Sequence, residues 1–360
     1  MGIYLMDIRN LDDLNIYTKL DPNHMLDELR RMPSLCKQAW ETAEALNLPE
    51  DYRAVKQVVI LGMGTSGVAA QLAERIVRDE CKIPIYLHQD YLLPAYVSAD
   101  TLVIASSSSG STEEVVSCFN QAASRQAKLL VLTTGGELKE MAAGHNIPGL
   151  IYDYTYRPST AIAYGVLPVL SILHKLGFIP NKAAEVSESL IVLSQIAERL
   201  SEKYQTSNNP AKQLADKLEG RAVMAFGSGV TFPAARRFKT QLNENAKCFA
   251  FAEEIPEMNH NSVVGYQLPQ NSGRYWAAVM FKTTFLSKRI HQRMKITTDI
   301  LHQAKIPVFS IDGYGFSPLC QALSLILQGD FVSLYLAFLN GVDPYPIDAV
   351  DYFKQELAES

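Results

Sequence analysis

The chain has 360 residues, 48% hydrophobic and 20% charged, which is the balance of a folded globular protein long enough for two domains. Its 38 acidic against 33 basic side chains leave a net charge of −5, which disfavours nucleic acid or an anionic membrane as main partner and leaves a small anionic ligand open. The first twelve residues hold acids and no long apolar run, no apolar stretch reads as long enough to cross a bilayer, and Cys36, Cys81, Cys118, Cys248 and Cys320 lack paired spacing, as expected of a cytoplasmic protein without a disulfide framework, metal or cofactor.

Residues 1 to about 52 read as helical, with Met25, Leu26 and Leu29 at helical spacing after Pro22. Short apolar runs then recur at Val58–Leu61, Ile83–Leu87, Leu102–Ala105, Leu129–Leu132 and Leu150–Tyr152. Runs apolar on both faces and separated by helix-length segments predict a parallel sheet covered by helices. The segment Val186–Leu200 steps by three and four residues, predicting an amphipathic helix, and Ser207-Asn208-Asn209-Pro210 breaks the pattern. A second alternation follows, with strands expected at Ala222–Phe226, Cys248–Ala252, Tyr275–Phe281 and Pro307–Ile311. Its first turn, Gly227-Ser228-Gly229, repeats the Gly62-Met63-Gly64 turn and points to an internal duplication. The expected fold is α/β, with two doubly wound parallel-sheet domains, residues 1–180 and 181–360, an N-terminal helical segment and C-terminal helices.

Gly62-Met63-Gly64-Thr65-Ser66-Gly67 follows a strand and opens a helix, and Asp90 lies near the end of the next strand. That arrangement formally fits a dinucleotide fingerprint, which is the first rival reading. The third strand tips the balance. Six of the seven residues from Ser106 to Thr112 carry hydroxyls, at the carboxyl end of a strand and the start of a helix. Free backbone N–H groups and the helix dipole favour a phosphate there, and hydroxyls donate to its oxygens. The plainer alternative is a serine-rich loop with Ser111 or Thr112 as an ordinary N-cap, completed by Glu113 or Glu114.

These paired loops resemble the signatures of sugar isomerase (SIS) domains, although Thr65 stands where the family commonly has Gly and Ser111 where it has Asn. The resemblance implies that Ser66, Ser107, Ser109 and Thr112 hold a substrate phosphate. In the second half, Asn243-Glu244-Asn245-Ala246-Lys247 and Pro256-Glu257-Met258-Asn259-His260-Asn261 resemble the bifunctional phosphoglucose/phosphomannose isomerases, a branch with two SIS domains. The likeness runs from Val58 to Leu357 and includes Tyr156-Arg157-Pro158 and Asp351-Tyr352-Phe353-Lys354.

The family's reaction, aldose–ketose isomerisation through a cis-enediol, sets chemical requirements. One base must take a proton from a carbon and return it to the next, which suits a carboxylate. The resemblance assigns this to Glu244, whose bland alternative is a solvated glutamate at a helix end. Ring opening needs a group that moves protons near neutral pH, and His260 matches the family's ring-opening histidine. Arg157 would stabilise the enediolate, and Lys354, on the edge of an apolar helical face, would assist at the ring oxygen. Glu253, Glu254 and Glu257 with His260 lack the spacing of a metal site. The resemblance also implies a homodimer in which His260 reaches the partner's site. Acceptance of mannose 6-phosphate stays open, because Pro346-Ile347-Asp348 carries no hydroxyl where members accepting both epimers have been associated with a threonine. A non-catalytic sugar-phosphate-binding regulator is the alternative function.

Overall fold

The computed structural model describes residues 10–359, apart from the side chains of Pro158 and Ala358. Two short helices lead the chain, α1 (Asn15–Leu20) and α2 (Met25–Arg30). Asp21 caps α2, its carboxylate accepting the Met25 and Leu26 N–H groups at 2.7 and 2.9 Å. Helix α3 (Met32–Ala45) begins with a proline in its first turn, where the missing N–H costs nothing.

A first α/β array follows: β1 (Gln57–Leu61), α4 (Gly64–Val77), β2 (Ile85–His88), β3 (Thr101–Ser106), α5 (Glu113–Ser124), β4 (Lys128–Thr133), α6 (Gly136–Gly144), β5 (Gly149–Ile151) and α7 (Ile162–Lys175). All strand pairs are parallel, in the order β2-β1-β3-β4-β5. Helices α3 and α4 pack against α7, and α5 covers the other face, on a core of Val59, Leu61, Val103, Ala105 and Phe119. The apolar runs mark these strands to within about two residues. Edge strand β2 is partly exposed, whereas β3 is buried throughout.

After α8 (Ala183–Arg199), α9 (Pro210–Leu218) starts where the sequence break falls, capped by Asn209. The second array is β6 (Ala222–Gly227), α10 (Phe232–Glu244), β7 (Ala250–Glu254), β8 (Trp276–Lys282), α11 (Lys288–Gln303) and β9 (Val308–Asp312). Helices α12 (Pro318–Leu339) and α13 (Asp348–Ala358) close the chain. Its parallel order, β7-β6-β8-β9, repeats the first four positions of the other sheet, as a duplication requires.

Two sequence expectations need correction. The chain does not divide at residue 180. One compact unit is Arg31–Val192 with Gly315–Gln321, and the other takes the described residues up to Arg30, Leu193–Tyr314 and the chain from Ala322 onward. The leading helices belong to the second unit because buried Lys212 of α9 donates to the Leu11 carbonyl at 2.7 Å, and its ammonium lies over the Tyr17 ring. An apolar stretch of membrane-spanning length also exists, since α12 has 22 residues with a mean hydropathy of 1.7. That stretch is 94% buried in the protein, and a helix enclosed on all sides is apolar on all sides.

Candidate active site

In the first unit, strand order 2-1-3 puts the topological switch point between β1 and β3, where open α/β sheets bind ligands beyond the strands' carboxyl ends. The β1–α4 turn carries Ser66, half-buried in the first turn of α4. The β3–α5 loop carries Ser107, Ser109 and Thr112. The topology therefore brings all four proposed phosphate ligands to one edge. Ser107 Oγ lies 2.8 Å from Thr112 Oγ1 and 3.4 Å from Ser109 Oγ, and it accepts the Gly110 N–H at 3.1 Å.

Thr112 stands at the N-cap of α5, yet its side chain makes no capping bond. The ordinary-cap alternative thus fails, and so does the capping box with Glu113 or Glu114. The hydroxyl is turned onto Ser107 instead, leaving the positive end of α5 uncovered by its own cap. Gly110 makes this fold-back possible. Its φ is +70°, and a Cβ there would lie 1.8 Å from the Gly135 carbonyl oxygen. The serines are not equivalent. Ser108 Oγ lies 2.9 Å from the Tyr152 phenol oxygen, so this hydroxyl braces the segment after β5.

Gly62 and Gly67 of the β1–α4 turn serve packing, whereas Gly64 has open space around it and a φ of +49°. A Cβ on Gly67 would meet the Gln89 amide nitrogen at 2.4 Å, and that amide donates to the Gly62 carbonyl at 3.1 Å. Asp90, the acid of the dinucleotide alternative, faces its own loop, its carboxylate accepting the Tyr91 N–H at 2.6 Å. Arg157 lies beyond the carboxyl end of β5, on the same edge as the two hydroxyl-bearing loops, and it is 4% exposed. Thr160 holds its carbonyl through both N–H, at 3.0 Å, and hydroxyl, at 2.7 Å.

In the second unit the corresponding turn is spent differently. Ser228 and Thr231 satisfy each other in a capping box, so the second G-x-G turn is closed on itself. Glu244 is the last residue of α10 and is half-buried. The Lys247 ammonium ties its carbonyl to that of Pro346, at 2.5 and 2.6 Å, joining the end of α10 to the lead-in of α13. On the same face of α10, Arg237 grips Asp330 of α12 through a bidentate pair, with Nε–Oδ1 at 2.9 Å and Nη2–Oδ2 at 2.7 Å. Both side chains are 2% exposed. Burial raises the Asp330 carboxyl, Arg237 opposes that shift, and the nearby Glu244 charge adds to it. Asn245 donates to Ser333 of α12 at 2.9 Å and fixes the end of α10 from the other side.

His260 is exposed and follows β7 in a short 3-10 turn, Glu257–His260. Glu253 braces the loop beyond it by accepting the Ser262 hydroxyl at 2.7 Å. Glu244 and His260 of one chain sit at opposite ends of the second sheet. Helix α10 descends to the amino end, where Glu244 lies, and five-residue β7 climbs back to the carboxyl end, a rise of roughly 16 Å. Lys354 lies on α13, which is rooted at the Glu244 end and exposed from Asp348 to Leu357. Sequence alone gave no role to Arg237, Asp330 or Tyr152 and weighed Glu253 only as a metal ligand. The partners of Arg237, Asp330 and Tyr152 are distant along the chain.

Two flavodoxin-like parallel sheets with a hydroxyl cradle at a switch point define a protein of two SIS domains. Residues 51–146 match the SIS domain, and residues 207–357 match the bacterial phospho-glucose isomerase C-terminal SIS domain. A bifunctional phosphoglucose/phosphomannose isomerase of Caldicellulosiruptor bescii is 37% identical over 93% of this chain and 99% of its own length. One of Aquifex aeolicus is 30% identical over 86% of this chain and 93% of its own. Among solved structures, a glucose-6-phosphate isomerase like protein from Thermus thermophilus shares the fold, with a TM-score of 0.63 at 17% identity, covering 96% of this chain and 99% of that one. The chain belongs to the bifunctional phosphoglucose/phosphomannose isomerase family, as the two strings in its second half implied.

Proposed function

We propose that this protein interconverts glucose 6-phosphate and fructose 6-phosphate, and accepts mannose 6-phosphate, through a cis-enediol, working in the cytoplasm as a homodimer. The observation that carries this reading is the cradle at Ser107–Thr112, where the N-cap hydroxyl leaves the helix end to a ligand. The names of the relatives supply the substrates, including the mannose epimer.

Ser66, Ser107, Ser109 and Thr112 hold the phosphate, so binding energy far from the reacting carbons positions C1 and C2. His260, with Lys354 at the ring oxygen, moves the proton that opens the sugar ring. Glu244 then takes the C2 proton as the enediolate forms and returns it to C1, and Arg157 offsets the charge on the enediolate oxygen. A binding-only regulator would leave Glu244 and His260 without a task. The separation of Glu244 from His260 within one chain supports a site to which a second chain contributes its histidine.

Turnover of fructose 6-phosphate by the purified protein tests the activity. Mixing inactive Glu244→Gln and inactive His260→Ala proteins under subunit exchange tests the shared site. Up to about a quarter of wild-type activity should return, because random pairing makes half the molecules mixed, each with one intact site of two. A fully active monomer at assay concentration would rule the shared site out.

A further inference from the structure

Helix α13 buries almost nothing in its own chain. Every residue from Asp348 to Leu357 is exposed, yet Val350, Phe353 and Leu357, 41%, 64% and 40% exposed, recur at helical spacing as one apolar stripe. Helices this short are marginal alone in water and owe their stability to packing of such a face. Elsewhere in the same unit, α11 and the loop after His260 form a groove of about 340 Å³. Val263, Ile296 and Ile300 line it with apolar surface, and Arg289 and Arg293 supply positive charge. Ile296 is 50% exposed there, and Val264, next in the chain to Val263, is 78% exposed.

We propose that α13 of one copy docks in this groove on a second copy of the chain. The inference rests on the shared-site reading above and names the contact that builds it. Helix and groove match in polarity and charge. Glu356 flanks the stripe on the side opposite Lys354, and α13 carries Asp348, Asp351 and Glu356 against one lysine. Seating Glu356 towards Arg289 and Arg293 of α11 turns Lys354 towards the other wall, the loop that bears His260. A second copy is the fitting occupant because α13 is rooted beside Glu244, at the end of the sheet opposite its own His260 loop. Exchange is reciprocal under two-fold symmetry, so each dimer buries two helices and two grooves. Glu244 and Lys354 from one chain then meet His260 from the other.

Phe353→Cys and Ile296→Cys proteins, co-expressed and treated with a short bismaleimide, should yield a two-chain product well above that of wild type. Neither variant alone should do so. No such product overturns the proposal, and so does a predominantly single-chain cross-link in the Phe353→Cys/Ile296→Cys double variant. In a second arm, Glu356→Arg should raise the dimer dissociation constant about tenfold by sedimentation, as should Arg289→Glu/Arg293→Glu, and combining them should recover most of the loss. A triple variant no tighter than either parent would refute the charge pairing. Fructose 6-phosphate turnover is read in parallel: cross-linking without turnover removes the isomerase reading and leaves the docking intact, and turnover without cross-linking does the reverse.

Discussion

Replacing Ser107 and Thr112 together by alanine tests the cradle most directly. The two hydroxyls are 2.8 Å apart, and Ser107 Oγ also accepts the Gly110 N–H at 3.1 Å. That N–H retains a second acceptor in the Ser107 carbonyl at 3.1 Å, so the free protein loses about one neutral hydrogen bond, or roughly 0.5–1.5 kcal/mol. The fold should survive with a small loss in Tm. The bound phosphate loses two hydrogen bonds to a charged group, about 1.5–3 kcal/mol each, or roughly 3–6 kcal/mol together. At about 1.4 kcal/mol per tenfold, affinity for 6-phosphogluconate should fall by about 10²–10⁴, with kcat/KM falling alongside. Calorimetric titration of the folded double variant measures this. Ser108→Ala is the internal control, because its hydroxyl is occupied by Tyr152; it should change affinity by less than about threefold. A double variant that binds within about threefold of wild type would refute the assignment, as would a Ser108→Ala loss equal to that of the double variant.

Glu244→Gln keeps the shape and removes the basic oxygen, so kcat should fall by about 10²–10⁴ while KM changes little; retention of more than a tenth of kcat would move the base to Glu254 or Glu257. Arg237→Met strands the buried Asp330 and should cost about 3–5 kcal/mol in urea unfolding, whereas Arg237→Met/Asp330→Leu should recover much of it. Equal losses in both proteins would show that the ion pair is not what the site requires. Burial pushes the thiols of Cys118 and Cys248 up to about 11 and those of Cys36 and Cys320 up to about 12, and it raises Cys81 as well. Since the thiolate is the nucleophile, alkylation of the native protein should be slow at pH 8 and accelerate only as pH climbs towards those values; rapid labelling at pH 8, read by mass spectrometry, would contradict it.

Strands β1, β3 and β4 were legible because a strand buried on both faces is written as a continuous apolar run, and the helix–sheet alternation followed from the spacing of those runs. The hydroxyl-rich loop before α5 was legible for a similar reason, since loop and helix start are contiguous in the chain. Glu244 and His260 were marked by strings rather than by any local physical pattern. Tertiary structure alone decided the rest. Arg237 and Asp330 are 93 residues apart, and nothing local to either announces the other. The apolar sequence of α12 fits a bilayer as well as a protein core, because both surround a helix with apolar atoms; only its burial separates them. That the leading helices belong with the second unit follows from Lys212 reaching back to Leu11 rather than from a break in composition. That Glu244 and His260 occupy opposite ends of their sheet follows from the direction of α10 and β7, because a parallel crossover must return the chain to the amino end before the next strand begins.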